Sequence, residues 1–207
     1  MSLTRRDFLR FGCFSAGVLA FGSMVGCAST QSGATNSKGE TLNDSQTEQV
    51  VPSGTAVVYF SCTETTQAIA EKIAATTDGT LMRIEPAKPY TSADLDYESN
   101  CRANAEQNSV TARPEIAQPV PDIAPYETVY LGYPIWWGTA PRIILTFLEG
   151  ADCADKTIIP FCTSGSSPIS GSINELHEAA PDATWLEGKR FPSSTSQSEI
   201  DSWVASN

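Results

Sequence analysis

Histidine is almost absent from this chain: His177 is the only one among 207 residues. No cysteine lies near it, and no C-x-x-C pair occurs among the six cysteines, so the ligand set of a zinc site is missing. Basic residues are scarce as well. Thirteen Lys and Arg stand against 24 Asp and Glu, a net charge of −11, and the few cations form no stripe. That argues against nucleic acid, because counterion release needs clustered cations. An acidic surface instead favours solubility and attracts basic partners. No nucleophile beside a base, triad or acid–base pair stands out. What the chain does hold is 41% hydrophobic residues, enough for a real core, and the length of one ordinary domain with sequence to spare.

The spare sequence is N-terminal. "LTRRDFLRFGCFSAGVLAFGSMVGC" joins a basic start, an apolar middle of export-signal length and small residues before Cys27. Glycine and serine interrupt an apolar run already short for a bilayer, which disfavours a membrane-spanning helix. Thr4-Arg5-Arg6-Asp7-Phe8-Leu9 looks like a twin-arginine motif, the signal that moves folded proteins across the bacterial inner membrane. Met24-Val25-Gly26-Cys27 resembles a lipobox, whose cysteine is lipidated and becomes the new N-terminus; cleavage by an ordinary peptidase, without lipid, is the alternative. Residues 1–27 are therefore expected to be a signal with Cys27 as lipid anchor, and residues 28–53, rich in Ser, Thr and Gly, a flexible tether. The expected location is the outer face of the cytoplasmic membrane, or the periplasm. Residues 1–27 contain three arginines and one aspartate, so the remainder has 10 basic and 23 acidic residues and a net charge of −13. Cys62, Cys101, Cys153 and Cys162 are expected to be free, partly buried thiols, since a protein exported folded must be stable without disulfides.

From Gly54 onward, strand and helix patterns alternate. "TAVVYF" (55–60), "LMRIE" (81–85), "TVYLGY" (128–133) and "TIIPFC" (157–162) predict strands, and a short one is expected near 183–191. "TTQAIAEKIAATT" (65–77), with Ile69, Ile73 and small alanines at helical spacing, predicts an amphipathic helix. Further helices are expected at 169–180, at 198–206, and after a cap at Thr139 or Ala140 with Pro141 in the first turn and Gly150 just past the end. The segment 86–127 is rich in prolines and acids, with one helix expected around Arg102–Gln107. No internal repeat occurs. Such alternation builds a parallel sheet covered on both faces, and ligands then sit beyond the carboxyl ends of the strands.

Three loops lie at that edge. "SCTETT", Ser61, Cys62, Thr63, Glu64, Thr65 and Thr66, sets four hydroxyls and the amides of a helix start where a phosphate could bind. It lacks the Lys and glycines of a nucleoside-triphosphate loop, which favours a monophosphate. Ser61-x-x-Glu64 can equally be a capping box, with Glu64 in the anion's place. "PIWWGT" holds Pro134, Ile135, Trp136, Trp137 and Gly138. Adjacent side chains on a strand face opposite ways, so the two tryptophans cannot serve one surface equally. They offer a stacking wall for a planar ring, or one buried and one half-exposed packing residue. "TSGSSP", with Thr163, Ser164, Gly165 and Ser166, offers amides and hydroxyls, or is an ordinary turn. Together the three suit a phosphorylated aromatic cofactor.

"VVYFSCTETTQAIAEKIA", "LGYPIWWGTAPRIILTFLE" and "IIPFCTSGSS" resemble flavodoxins, especially a branch with the tryptophan pair, and the likeness covers nearly all of 55–205. It implies a doubly wound α/β domain over 54–207, five parallel strands in the order 2-1-3-4-5 with helices on both faces, binding FMN. By resemblance, Ser61, Thr63, Thr65 and Thr66 would hold the phosphate. Trp136 and Trp137, with Pro134, Ile135 and Gly138, would border the ring, and Thr163, Ser164, Gly165 and Ser166 would close the other side. Family loops usually carry glycine where this chain has Glu64; pointing outward it would cost little, pointing inward it would weaken phosphate binding. The expected function is electron transfer as a carrier or small flavin reductase, with a redox protein or a small-molecule donor and acceptor as partners. The charge of −13 would lower the flavin's potential. The rivals are an NAD(P)H-dependent quinone reductase of the same fold, and a cofactor-free binding module with Glu64 in place of the phosphate.

Overall fold

The computed structural model describes residues 54–97 and 100–207. The expected signal, the Cys27 anchor and the tether, residues 1–53, lie outside the described residues. Strands β1 (Thr55–Tyr59), β2 (Thr80–Arg83), β3 (Thr128–Pro134), β4 (Thr157–Thr163), β5 (Thr184–Trp185) and β6 (Lys189–Phe191) form one parallel sheet. Its order is β2-β1-β3-β4-β5, with β6 also on β4. Helices α1 (Thr65–Thr77), α2 (Arg102–Gln107), α3 (Arg142–Gly150), α4 (Ser170–Ala179) and α5 (Gln197–Val204) complete the domain. None of the helices among the described residues is long and apolar enough to cross a membrane.

The central strands are apolar on both sides because both sides are covered. Ala56, Val58, Phe60, Val129, Leu131, Tyr133, Ile158 and Cys162 pack with Ile143, Ile144, Phe147 and Leu148 of α3 and Leu176 of α4. Val57, Tyr59, Tyr130, Ile159 and Phe161 alternate with them and meet Ile69, Ala70 and Ile73 of α1 and Ile200 and Trp203 of α5. The period of two in each strand thus feeds two separate cores.

The fifth position of the sheet differs from the single strand expected near 183–191: two short strands share it. β5 pairs at Thr157 and Ile158, and β6 at Phe161 to Thr163. The break lies opposite Pro160. Ile158 O accepts from Leu186 N (3.0 Å), so residues 158, 160 and 162 turn their polar groups toward this edge. Proline has no N–H to offer there, and Leu186–Gly188 bulge past it. Gly188 makes room for this: a Cβ on it would fall 2.7 Å from Pro160 Cγ and O and 2.8 Å from Ile169 Cδ1.

Between β2 and β3 the chain adds a 3₁₀ turn (Ala93–Leu95), α2 as expected, and an antiparallel bridge between Pro86 and Ile116. The start of α3 departs from expectation. Pro141 (φ −57°, ψ 139°) is its N-cap rather than a first-turn residue, and Gly150 is its last residue rather than the one beyond. Neither Thr139 nor Ala140 caps it. Thr139 is engaged instead in a turn with Trp136, and the Arg142 N–H is taken by the side chain of Gln107.

Candidate functional site

β1, β3 and β4 all end at one edge, and their three loops border a cleft of about 420 Å³. After β1 the chain stays tied to the sheet through Phe60 N to Gly132 O (2.9 Å). Arg83 on β2 donates from Nη2 to Ser61 O (2.9 Å) and so fixes the loop from outside. Glu64 is the N-cap of α1 but makes no side-chain capping bond, which corrects the Ser61–Glu64 capping box. The box that does form is Ser196 with Glu199 on α5. Glu64 is exposed and sits at φ 61°, in the left-handed region that glycine favours. Thr65 opens the helix, whose first N–H groups have no partners within the helix. Thr66 is placed differently from its neighbours. Its buried hydroxyl shares a 2.7 Å hydrogen bond with that of Thr163, locking the first loop to the third.

The second loop resolves the tryptophan pair. Trp136 N donates to Thr139 O (2.9 Å) and Thr139 N to Trp136 O (3.1 Å). The two residues between them, Trp137 and Gly138, have φ of 48° and 88°, as a type I′ turn requires. Trp136 is only 6% exposed, packed edge-on against Phe60 (5.5 Å between ring centroids) and Tyr90 (5.2 Å), with part of its surface lining the cleft. Trp137 is half-buried and stacks on Tyr97 at 4.3 Å, 27° from parallel. Gly138 packs its carbonyl against α4 at Gly171, where a Cβ would come within 2.2 Å of the Gly138 oxygen.

In the third loop Arg190 of β6 donates from Nη1 to Ser164 O (3.0 Å), and Ser164 Oγ donates to Ser167 O. Of the predicted residues, Ser61, Cys62, Thr63, Thr65, Pro134, Ile135, Trp136, Thr163, Ser164 and Gly165 line the cleft. Glu64, Thr66, Trp137, Gly138 and Ser166 do not. Leu95, Tyr97, Pro192 and Ser193 also line it and were not predicted. They come from segments without periodicity, so nothing in their local sequence marks them.

The chemistry of the lining is divided. Ser61, Thr63 and Thr65 bring hydroxyls from the loop that leads into α1, and Thr163, Ser164 and Ser193 add others; Pro134, Ile135, Trp136, Leu95 and Tyr97 supply apolar and aromatic surface. Among the described residues, no lining side chain is a carboxylate, ammonium, guanidinium or imidazole. Burial pushes the Cys62 thiol up to about 11 and raises Tyr97, so neither is an acid or base near neutrality. The cleft can hold a flat, largely apolar ligand with one anionic end, and none of its described lining side chains titrates near neutrality.

Residues 54–207 match the protein-family model described as Flavodoxin. No curated protein matches the chain. A candidate flavoprotein from Bacteroides uniformis ATCC 8492 is 42% identical, with a TM-score of 0.72, over 75% of this chain and 99% of its own. One from Bacteroides eggerthii DSM 20697 is 44% identical, with a TM-score of 0.70, over 74% and 97%. A flavoprotein from Lactobacillus acidophilus NCFM, solved in complex with FMN, is 23% identical, with a TM-score of 0.58, over 73% and 99%, and shares the fold.

Proposed function

This chain belongs to the flavodoxin family, and from that premise we propose that its cleft binds FMN and that the protein carries electrons at the outer face of the cytoplasmic membrane. The observation that carries the proposal is the lining of the cleft, which joins hydroxyls to aromatic and apolar surface and carries no charge among the described residues. A phosphate fits the end built by Ser61, Thr63, Thr65 and the first amides of α1, where neutral donors and the helix dipole favour an anion. An isoalloxazine ring fits against Trp136, Pro134 and Ile135, and Ser164 and Gly165 of the third loop line the same cleft. The FMN complex of the Lactobacillus acidophilus protein, which has the same fold, supports this choice of ligand. Thr66 and Thr163 keep the two polar loops in register through their shared hydrogen bond. Glu64, exposed and outside the lining, leaves the cradle open.

When bound, the flavin supplies the redox chemistry, and the protein supplies orientation and electrostatics. Trp136, seated against Phe60 and Tyr90, offers the ring a fixed apolar surface, and the hydroxyl loops orient the phosphate. A cleft whose described lining holds no acid or base near neutrality suits a carrier that exchanges electrons with other molecules. The Arg5-Arg6 motif and the Met24–Cys27 lipobox support export in the folded state and a lipid anchor at Cys27, and the adjacent tryptophans support a distinct branch of the family.

The ligand is identified by mass spectrometry after release from protein made in the cytoplasm without residues 1–27. FMN is expected; FAD, or colourless protein, refutes the proposal. Steady NAD(P)H consumption with a quinone would make the protein a reductase instead of a carrier. Cys27→Ala should shift the full chain from the membrane to the soluble fraction with unchanged flavin content, and Arg5→Lys with Arg6→Lys should block export.

A further inference from the structure

The Trp136–Thr139 turn is fastened by polar side chains that do not touch the cleft. Gln107, the last residue of α2, donates from Nε2 to Trp136 O (3.2 Å) and Ala140 O (3.1 Å) and accepts at Oε1 from Arg142 N (3.0 Å). One amide therefore meets the chain at the first residue of the turn, just after its last, and at the first residue of α3. Arg142 donates back from Nη2 to Gln107 O (3.1 Å) and from Nη1 to Glu175 Oε1 (3.0 Å). Glu175, on α4, accepts at its second oxygen from Thr139 Oγ1 (2.7 Å). The loop of bonds closes on the turn from both sides.

As a device for stability this network is poor. Gln107 and Arg142 are 7% and 5% exposed, and Arg142 Nε has no hydrogen-bond partner among the described residues. A cation on the first residue of a helix gains nothing from that helix's own dipole. Its orphan N–H loses water without compensation. Replacing a buried ion pair by apolar residues of similar volume is often neutral or stabilising. The network does provide a fixed direction for the Trp136 and Ala140 carbonyls and a fixed seat for the turn.

We propose that Gln107 is a positioning residue for the flavin ring: with the Arg142–Glu175 pair it holds Trp136 and the turn after it in one geometry at the aromatic end of the cleft. This rests on the FMN proposal above. Gln107 touches no ligand and acts through Trp136. Its effect falls on the ring and not on the phosphate, whose cradle belongs to another loop held by Arg83.

The test uses flavin-free protein titrated with FMN and with riboflavin, which has the ring and no phosphate, while inorganic phosphate competes against FMN. Gln107→Leu keeps the volume and removes all three bonds of the amide. It should raise the Kd of FMN and of riboflavin by the same factor, about tenfold, and change the visible circular dichroism of bound FMN. The inhibition constant of phosphate should not move. Thr139→Val, at a half-exposed site, removes only the bond to Glu175; it should raise both flavin constants about threefold, again equally, and decides the question if Gln107→Leu fails to fold. Unchanged flavin constants and dichroism in a folded variant overturn the positioning role and leave FMN binding standing. Phosphate weakened in parallel with FMN also overturns it, since the defect would then be general loosening. A parent protein that binds neither flavin overturns the FMN proposal and this one with it.

Discussion

Replacing Glu64 by glycine changes two separable energies. The residue sits at φ 61° with no capping bond from its side chain. A left-handed conformation costs a residue with a Cβ about 1–2 kcal/mol, and the greater freedom of glycine in the unfolded chain returns about 0.5–1 kcal/mol of that. The variant should gain about 0.5–1 kcal/mol, a rise in Tm of roughly 2 °C for a domain of this size. The second energy is electrostatic. Two unit charges about 7 Å apart in water repel by about 0.6 kcal/mol, and a phosphate close to two charges roughly doubles that. Salt at 0.15 M removes more than half. Kd for FMN should therefore fall about twofold at physiological salt and about fivefold at 0.01 M. Glu64→Ala separates the two, because it removes the charge and keeps the strained backbone: the same affinity gain is expected without the gain in Tm. Thermal unfolding of the flavin-free variants and fluorescence titrations at both salt concentrations measure this. A loss of 1 kcal/mol or more in Glu64→Gly, or an affinity change indifferent to salt, would refute the reasoning.

The tryptophans should separate in the same assays. Trp136→Ala opens a cavity beside Phe60 and Tyr90, should cost about 3–5 kcal/mol, and should weaken flavin binding and relieve its fluorescence quenching; Trp137→Ala should cost less than about 1.5 kcal/mol, and equal losses in urea unfolding would contradict the packing described. Cys62, half-buried in the cleft and pushed up to about 11, should be alkylated slowly at pH 7.5 and more slowly still with FMN bound. Cys162, fully buried and pushed up to about 12, should not react until the protein unfolds. Hydrogen bonds from Arg113 to both Glu149 oxygens (2.8 and 2.7 Å) hold that carboxyl below its ordinary 4.5. Its stabilisation is present above pH 4.5 and lost as the pH falls through the lower, folded-state value. Glu149→Gln should thus destabilise by under about 1 kcal/mol at pH 7 and make the acid limb of the stability profile shallower; an unchanged limb would show that the pair contributes nothing.

Much of the architecture was legible because its signals are local. Helix α1 spans Thr65–Thr77 as the spacing of Ile69 and Ile73 predicts, and β1, β3 and β4 lie within a residue of their apolar runs. The positions where sequence reasoning went astray depend on what lies opposite. Ser61 and Glu64 have the spacing of a capping box, but a left-handed Glu64 cannot complete it. Pro160 sits unremarkably in an apolar run; only the sidedness of β4 shows that its missing N–H faces the edge where the neighbouring strand breaks. Gln107 ends a short helix in an aperiodic segment, and no pattern within that segment points to Trp136 or Arg142.

Sequence alone determined the alternation of strand and helix, and with it a parallel sheet whose loops gather hydroxyls and tryptophans at one edge, because backbone periodicity and side-chain polarity act over a few residues. Tertiary structure decided which tryptophan is core and which is rim, since Phe60 and Tyr90 approach Trp136 while Tyr97 covers Trp137. It also decided that Thr66 serves the joint between two loops rather than the open cleft, that Glu64 stays outside, and that Gln107 and Arg142 stand behind the aromatic turn. Those outcomes are set by packing and hydrogen-bond satisfaction between segments far apart in the chain. Such contacts are specified jointly by both partners, and neither partner's local sequence carries them.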